Sequence, residues 1–193
     1  MEETQERLLD NAIELFAERG YAGVSMRDIA ASVEITPAAI YHHFASKEAL
    51  YIGAITYLFD KLTLGIGDRL APIGDPAERL ELLTASMLHV LEEDPRFRRI
   101  YLRELLEGDE HKLAALAENT FAGFYEPLYT LMQELAPDRD PQLLIFSLAG
   151  LVFHHLEVRK LAPHLPNPLP GGRDLSTLAA HITQLFLYGV KPS

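Results

Sequence analysis

Three consecutive pieces decide the reading: Ser25-Met26-Arg27-Asp28-Ile29-Ala30, then Thr36-Pro37-Ala38-Ala39-Ile40-Tyr41-His42-His43-Phe44, then Ser46-Lys47-Glu48-Ala49-Leu50. Each opens with a helix-start signal. Ser25 with Asp28 three residues on is a variant of the capping box, in which side chain and backbone satisfy each other's orphan groups. Thr36 sets a hydroxyl cap before Pro37, whose missing N–H costs nothing at the first helical position. Ser46 caps a further helix that runs through Leu50, Ala54, Tyr57, Leu58 and Leu62 toward Gly65 and Gly67. Upstream, Leu8, Leu9, Ala12, Ile13, Phe16 and Ala17 keep one-face helical spacing, and Gly20 sits where a C-terminal cap belongs.

Three short helices in so little chain, the second and third joined by a tight turn, describe a helix-turn-helix. In that motif the second helix of the pair enters the major groove with its N-terminal residues nearest the base edges. Here that helix starts at Thr36. Ile40 and Phe44, four apart, share its inward face, which leaves Thr36, Pro37, Ala38, Tyr41 and His42 for the outer one. Small residues at the start permit close approach, where a methyl contacts thymine; a tyrosine hydroxyl and Lys47 suit phosphates.

Charge argues against a generally basic nucleic-acid binder, since 17 Lys and Arg face 28 Asp and Glu for a net charge of −11. Its distribution answers part of the objection, because no carboxylate lies between Glu34 and Glu48. The 193 residues are 48% hydrophobic and 23% charged, the balance of a folded soluble chain. With no cysteine, disulfides, thiolate metal sites and a cysteine nucleophile are excluded. The acidic start Met1-Glu2-Glu3-Thr4 has no signal-peptide pattern, and the most apolar stretch, Leu143 to Leu156, is shorter than the roughly 18 residues of a membrane span. A cytoplasmic protein without membrane contact is expected.

The rest also reads as helix. Ala71 to Pro76 is a loop by composition; Pro76 and Pro95 open helices ending near Asp94 and Gly108. A long helix from about Asp109 to Leu135 holds Pro127, where a kink is expected. Pro141 opens another to about Leu161. A connector with Pro163, Pro166, Pro168, Pro170 and Gly171-Gly172 precedes the last, Asp174 to Gly189. The expected fold is all-α: a helix-turn-helix domain over 1–50, joined by the fourth helix to a larger helical domain over 51–193.

At these pieces, together with Ala17-Glu18-Arg19-Gly20-Tyr21, the sequence resembles the TetR family of bacterial repressors. Order, spacing and residue type agree over roughly residues 7 to 50; the remainder matches only in size and helical layout. The resemblance implies that Thr36, Pro37, Ala38, Tyr41 and His42 face double-stranded operator DNA, with Ser25, Arg27 and Lys47 also at that surface. One departure stands out: the turn before Thr36 usually carries glycine where this chain has Glu34. A positive φ there strains a glutamate by about 1 kcal/mol.

In the larger domain, Leu143 to Phe153 is apolar on all sides, and a helix apolar all round must be buried all round. One face lines its own core while the other meets a partner. With the stripe on the last helix, this makes Leu148, Leu151, Val152, Leu178, Ile182 and Leu185 the expected homodimer interface, as the resemblance also implies. Aromatics concentrate mid-domain, and Tyr101, Phe121, Phe124, Tyr125, Phe146 and Phe153, with His89 and His154, are the candidate lining of a cavity for a small, mostly apolar effector. The expected protein is thus a ligand-released repressor rather than an enzyme, with no cofactor or metal. Two alternatives stay open, a metal-binding helical-bundle enzyme and a protein-only adaptor. The first lacks the Glu-x-x-His motifs of di-iron bundles, and the adjacent His154 and His155 point about 100° apart.

Overall fold

The computed structural model describes residues 2–107, 109–166 and 174–190, and among these every regular element is helical. In chain order they are α1 (Glu2–Arg19), α2 (Met26–Ser32), α3 (Pro37–Tyr41), α4 (Lys47–Thr63), α5 (Ile66–Leu70) and α6 (Pro76–Glu93). There follow α7 (Pro95–Glu107), α8 (Glu110–Leu116), a π-helical turn Ala117–Phe121, α9 (Ala122–Leu135), α10 (Pro141–Val158), a 3₁₀ turn Ala162–His164 and α11 (Leu175–Val190). Of the expected connector, Pro168, Pro170 and Gly171-Gly172 lie outside the described residues. Two compact units result, one from Met1–Leu62 with Asp94–Ala122, the other from Thr63–Glu93 with Gly123–Ser193.

The first unit is built on the caps. α1 buries Leu8, Ala12, Ile13 and Phe16 and stops at Gly20, whose φ of +71° favours glycine. A Cβ there would also lie 2.4 Å from Arg103 Nη1. That contact involves the end of a flexible side chain, so the backbone is the firmer constraint. Ser25 closes the capping box on α2 with Asp28. α2 then ends in a Schellman motif: Glu34 N–H donates to the Ala31 carbonyl (3.3 Å) and Ile35 N–H to that of Ala30 (3.0 Å). The motif needs a left-handed residue between them, and Glu34 takes φ 58°. The strain anticipated at this position is present.

α3 is shorter than the spacing suggested. It ends at Tyr41, and a turn follows in which the N–H groups of His43 and Phe44 both donate to the Ile40 carbonyl. The hydroxyl of Ser46 accepts from Ala49 N–H at 3.0 Å, opening α4 as expected. Gly65, at φ +73°, starts the short α5, which the sequence reading did not resolve from its loop. Asp109 caps α8 by accepting from His111 and Lys112 N–H. The expected long helix onward from there is interrupted by the π-turn, and α9 runs through Pro127.

In the second unit α6 packs against α11, α10 and α5. Leu148, Val152, Ile182 and Phe186 are buried there. An Arg79–Glu134 ion pair joins α6 to α9, and Arg69 donates to Ser86 Oγ at 3.0 Å. Asp174 caps α11 through Thr177 N–H at 2.7 Å.

Candidate nucleic-acid interface and ligand cavity

Burial of Ile40 fixes the orientation of α3, since a side chain with no exposure holds one face inward. Phe44 follows it against α4, where Gly53 makes room: a Cβ at Gly53 would meet the Phe44 ring at 3.0 Å. The opposite face is open. Thr36, Ala38, Tyr41 and His42 are exposed there and Pro37 is half-buried, with Tyr41 at 53%. Ser25 and Arg27 are exposed at the start of α2. The hydroxyl of Ser25 is already engaged, donating to Asp28 Oδ2 at 2.6 Å and accepting from Asp28 N–H at 3.2 Å. Those bonds from Ser25, side chain first and backbone second, hold the Asp28 carboxyl below its usual range.

Lys47 is half-buried at the start of α4, its ammonium 4.1 Å from the centroid of the Tyr21 ring. Burial, and then the charge of Lys112, push that ammonium below its ordinary titration range, while Asp28 acts the other way. Lys112 Nζ approaches the same ring at 4.6 Å. It also pairs with Glu104 at 3.2 Å, and Glu104 in turn accepts from the Tyr51 hydroxyl at 2.7 Å. Tyr51 and Glu104 are each 2% exposed and Lys112 is 8%. Sequence reasoning missed this group. Its members are widely separated along the chain, and each looks ordinary in its own helix.

A small cavity of about 20 Å³ adjoins the group, its walls including Ile55, Phe97, Ile100, Tyr101, Leu116 and Phe121. Glu104 also borders it, with its carboxylate committed to Tyr51 and Lys112. Tyr101 and Phe121, from the expected ligand set, therefore line one wall, with rings 6.1 Å apart. The other six belong to the second unit. Phe153 is buried in its core and Phe124 and Tyr125 are half-buried. His89 is exposed beside Glu93 at 3.2 Å, and His154 and Phe146 are exposed as well. Phe146, at 58%, lies on the outer side of α10 with Leu143 and Gly150 because Ile145, Leu148 and Val152 occupy the inner side.

The expected interface residues divide the same way. Leu148, Val152, Leu178 and Ile182 are filled by packing within the chain and present no surface to a partner. Leu151 is half-buried and Leu185 is 50% exposed. The outward apolar residues of these helices are Leu143, Phe146, Leu185 and Tyr188. Among the described residues no group of three or more His, Asp or Glu is placed to hold a metal ion.

Capped helices around a Schellman turn, with an exposed α3 standing on Ile40, define a helix-turn-helix protein. Residues 8–54 match the family described as bacterial regulatory proteins, tetR family. The chain belongs to the tetR family. The biofilm operon icaADBC negative transcriptional regulator IcaR of Staphylococcus aureus (strain Newman) is 45% identical over 58 residues, 30% of this chain and 31% of that protein. The Staphylococcus epidermidis IcaR is 39% identical over 56 residues, 29% of this chain and 30% of that protein. The chain thus matches about a third of the length of these curated relatives. Solved structures match almost end to end. The transcriptional regulator FadR from Bacillus subtilis, in complex with stearoyl-CoA, superposes with a TM-score of 0.79 at 18% identity, covering 96% of this chain and 99% of that one. AibR in complex with isovaleryl coenzyme A and operator DNA gives 0.69 at 23%, covering 94% and 97%. Identities this low establish the shared fold.

Proposed function

We propose that this chain is a DNA-binding transcriptional regulator, a homodimeric repressor that leaves a palindromic operator when a small, mostly apolar effector binds. The observation that carries the reading is the outer face of α3: Thr36, Ala38, Tyr41 and His42 exposed over a buried Ile40, with no carboxylate from Ile35 to Lys47. On an acidic protein, such a window lets a DNA surface approach without meeting like charge. Residues 1–50 would read the operator and 51–193 would bind the effector and pair the subunits, in the cytoplasm. The apolar cavity beside Tyr101 and Phe121 supports an apolar effector. So do the ligands carried by the similar folds, stearoyl-CoA for FadR and isovaleryl coenzyme A for AibR. Family and fold favour a regulator over an enzyme.

Selection of genomic fragments by the purified chain tests the reading. The expected product is a two-fold motif with half-sites one helical turn, or a multiple of it, apart. Thr36 and Ala38 substitutions should change the preferred sequence, whereas Lys47→Ala should weaken binding to every sequence. Recovery of no fragment above background would overturn DNA binding and favour the protein-only adaptor. Calorimetry with acyl thioesters, fatty acids and aromatic compounds, with and without the selected duplex, tests release. Effector and DNA must weaken each other by the same factor.

A further inference from the structure

The buried group around Glu104 has a composition that stability alone does not explain. A buried ion pair is commonly no more stabilising than apolar residues of the same volume. Lys112, moreover, stands in the first turn of α8, the end of a helix where a cation is disfavoured. What the pair does have is an outlet toward the DNA-facing surface. Lys112 and Lys47 share the Tyr21 ring at 4.6 and 4.1 Å, and Tyr21 packs edge-on against Tyr51 with centroids 5.0 Å apart. Next to Lys112, the first turn of α8 also holds His111 against Glu48, 2.9 Å away, one residue past Lys47.

Resting on the DNA-binding reading above, we propose that Lys112 is a positioning residue. By holding the Glu104 carboxylate and one approach to Tyr21, it keeps the Lys47 ammonium at the surface, available to a phosphate. Take Lys112 away and the interior keeps an uncompensated carboxylate, which attracts the nearest mobile cation. Lys47 then turns inward and its phosphate contact is lost. Leu113 and Leu116, on the helix that carries Lys112, line the cavity that Glu104 borders. A ligand that spreads this wall and parts Lys112 from Glu104 has the same effect as removing the ammonium. The route from cavity to phosphate contact then runs through one turn of α8.

The test is the salt dependence of binding to a short fluorescent duplex carrying a fragment that the wild-type chain selects. Circular dichroism confirms that each variant is folded. Lys112→Met should lower the slope of log affinity against log salt by about 0.9, the value for one lost phosphate contact, as Lys47→Ala does. Lys112→Arg should restore it. In a Lys47→Ala background, Lys112→Met should cause no further loss, whereas a merely structural role would add its own penalty. If Lys112→Met fails to fold, the double variant Glu104→Gln/Lys112→Met leaves no buried charge to attract Lys47, and its slope should equal that of the wild type. A wild-type slope for folded Lys112→Met, or a slope lowered by about 0.9 in the double variant, overturns the proposal. Should Lys47→Ala itself keep the wild-type slope, the phosphate contact is refuted and the role of Lys112 with it. If Lys47→Ala lowers the slope and Lys112→Met does not, only the role of Lys112 is refuted.

Discussion

Replacing Tyr51 by phenylalanine removes one oxygen from the most buried polar cluster in the first unit and leaves its shape intact. The ring keeps its edge contact with Phe16, 4.8 Å between centroids, and with Tyr21 at 5.0 Å, so the packing contributions cancel. What goes is a 2.7 Å hydrogen bond to a carboxylate that is 2% exposed. Bonds to charged groups contribute about 1.5–3 kcal/mol. Glu104 retains Lys112 at 3.2 Å on one oxygen and 3.4 Å on the other, which places the loss in the lower half, about 1.5–2 kcal/mol. For a chain of this length that lowers the melting temperature by about 3–8 °C. Tyr51→Ala, which also opens a void, should cost about 3–5 kcal/mol. Burial and then Glu104 hold the Tyr51 hydroxyl above its ordinary titration range, so it stays protonated through neutral pH. A pKa raised on folding adds stability that is fully present below the unfolded value and lost above it. The difference between wild type and Tyr51→Phe should therefore be flat at neutral pH and narrow above about pH 10, where an unfolded tyrosine ionises. Thermal melts followed by far-UV circular dichroism measure it. A Tyr51→Phe midpoint within about 1 °C of wild type would show that the hydroxyl adds nothing.

Glu34→Gly should raise the urea midpoint, by an amount equivalent to at most about 1 kcal/mol, because relief of the left-handed strain outweighs the entropy of a freer unfolded chain; a lower midpoint would contradict the strain. The Asp28 carboxyl, depressed by its bonds from Ser25, should stabilise the fold above its unfolded pKa of about 4 and lose that contribution as pH falls through the lower folded value. Asp28→Asn should accordingly flatten the acid limb of a melting-temperature profile, and an unchanged limb would count against the capping box. Phe146→Glu and Leu185→Glu, both at exposed positions, should give folded monomers in sedimentation, while Ile182→Glu should unfold the chain by burying an unpaired carboxylate. Dimers of undiminished affinity from both surface variants would place the interface elsewhere.

What was legible in the sequence was local. Ser25 with Asp28, Thr36 with Pro37 and Ser46 with Ala49 are decided within a turn of chain, and all three caps form as read. Even the strain at Glu34 was visible, since a helix end that needs a left-handed residue announces itself by what stands there. The π-turn at Ala117–Phe121 was not, because an extra residue in a helix leaves no mark on apolar periodicity. α10 defeated the reading for the opposite reason. With apolar residues on every side, its sequence does not say which face is inner, and Leu148 and Val152 prove to be core while Leu143 and Phe146 are outside. Tyr51, Glu104 and Lys112 meet only through tertiary packing, so neither spacing nor composition joins them.

The first unit is discontinuous along the chain, and on the ribosome this imposes an order. Tyr51 and Ile55 are made early, but their partners Glu104, Ile100 and Leu116 come from the second segment, Asp94–Ala122. At about 5–20 residues per second, the interval from Leu62 to Ala122 takes roughly 3–12 s. Throughout it, the nascent α4 holds a tyrosine and an isoleucine toward partners not yet synthesised, while the intervening residues emerge to join a different unit. Folding intermediates that expose apolar surface aggregate. A slow codon placed before Ala122 would prolong that exposure, whereas the same pause after it would find the first unit already closed.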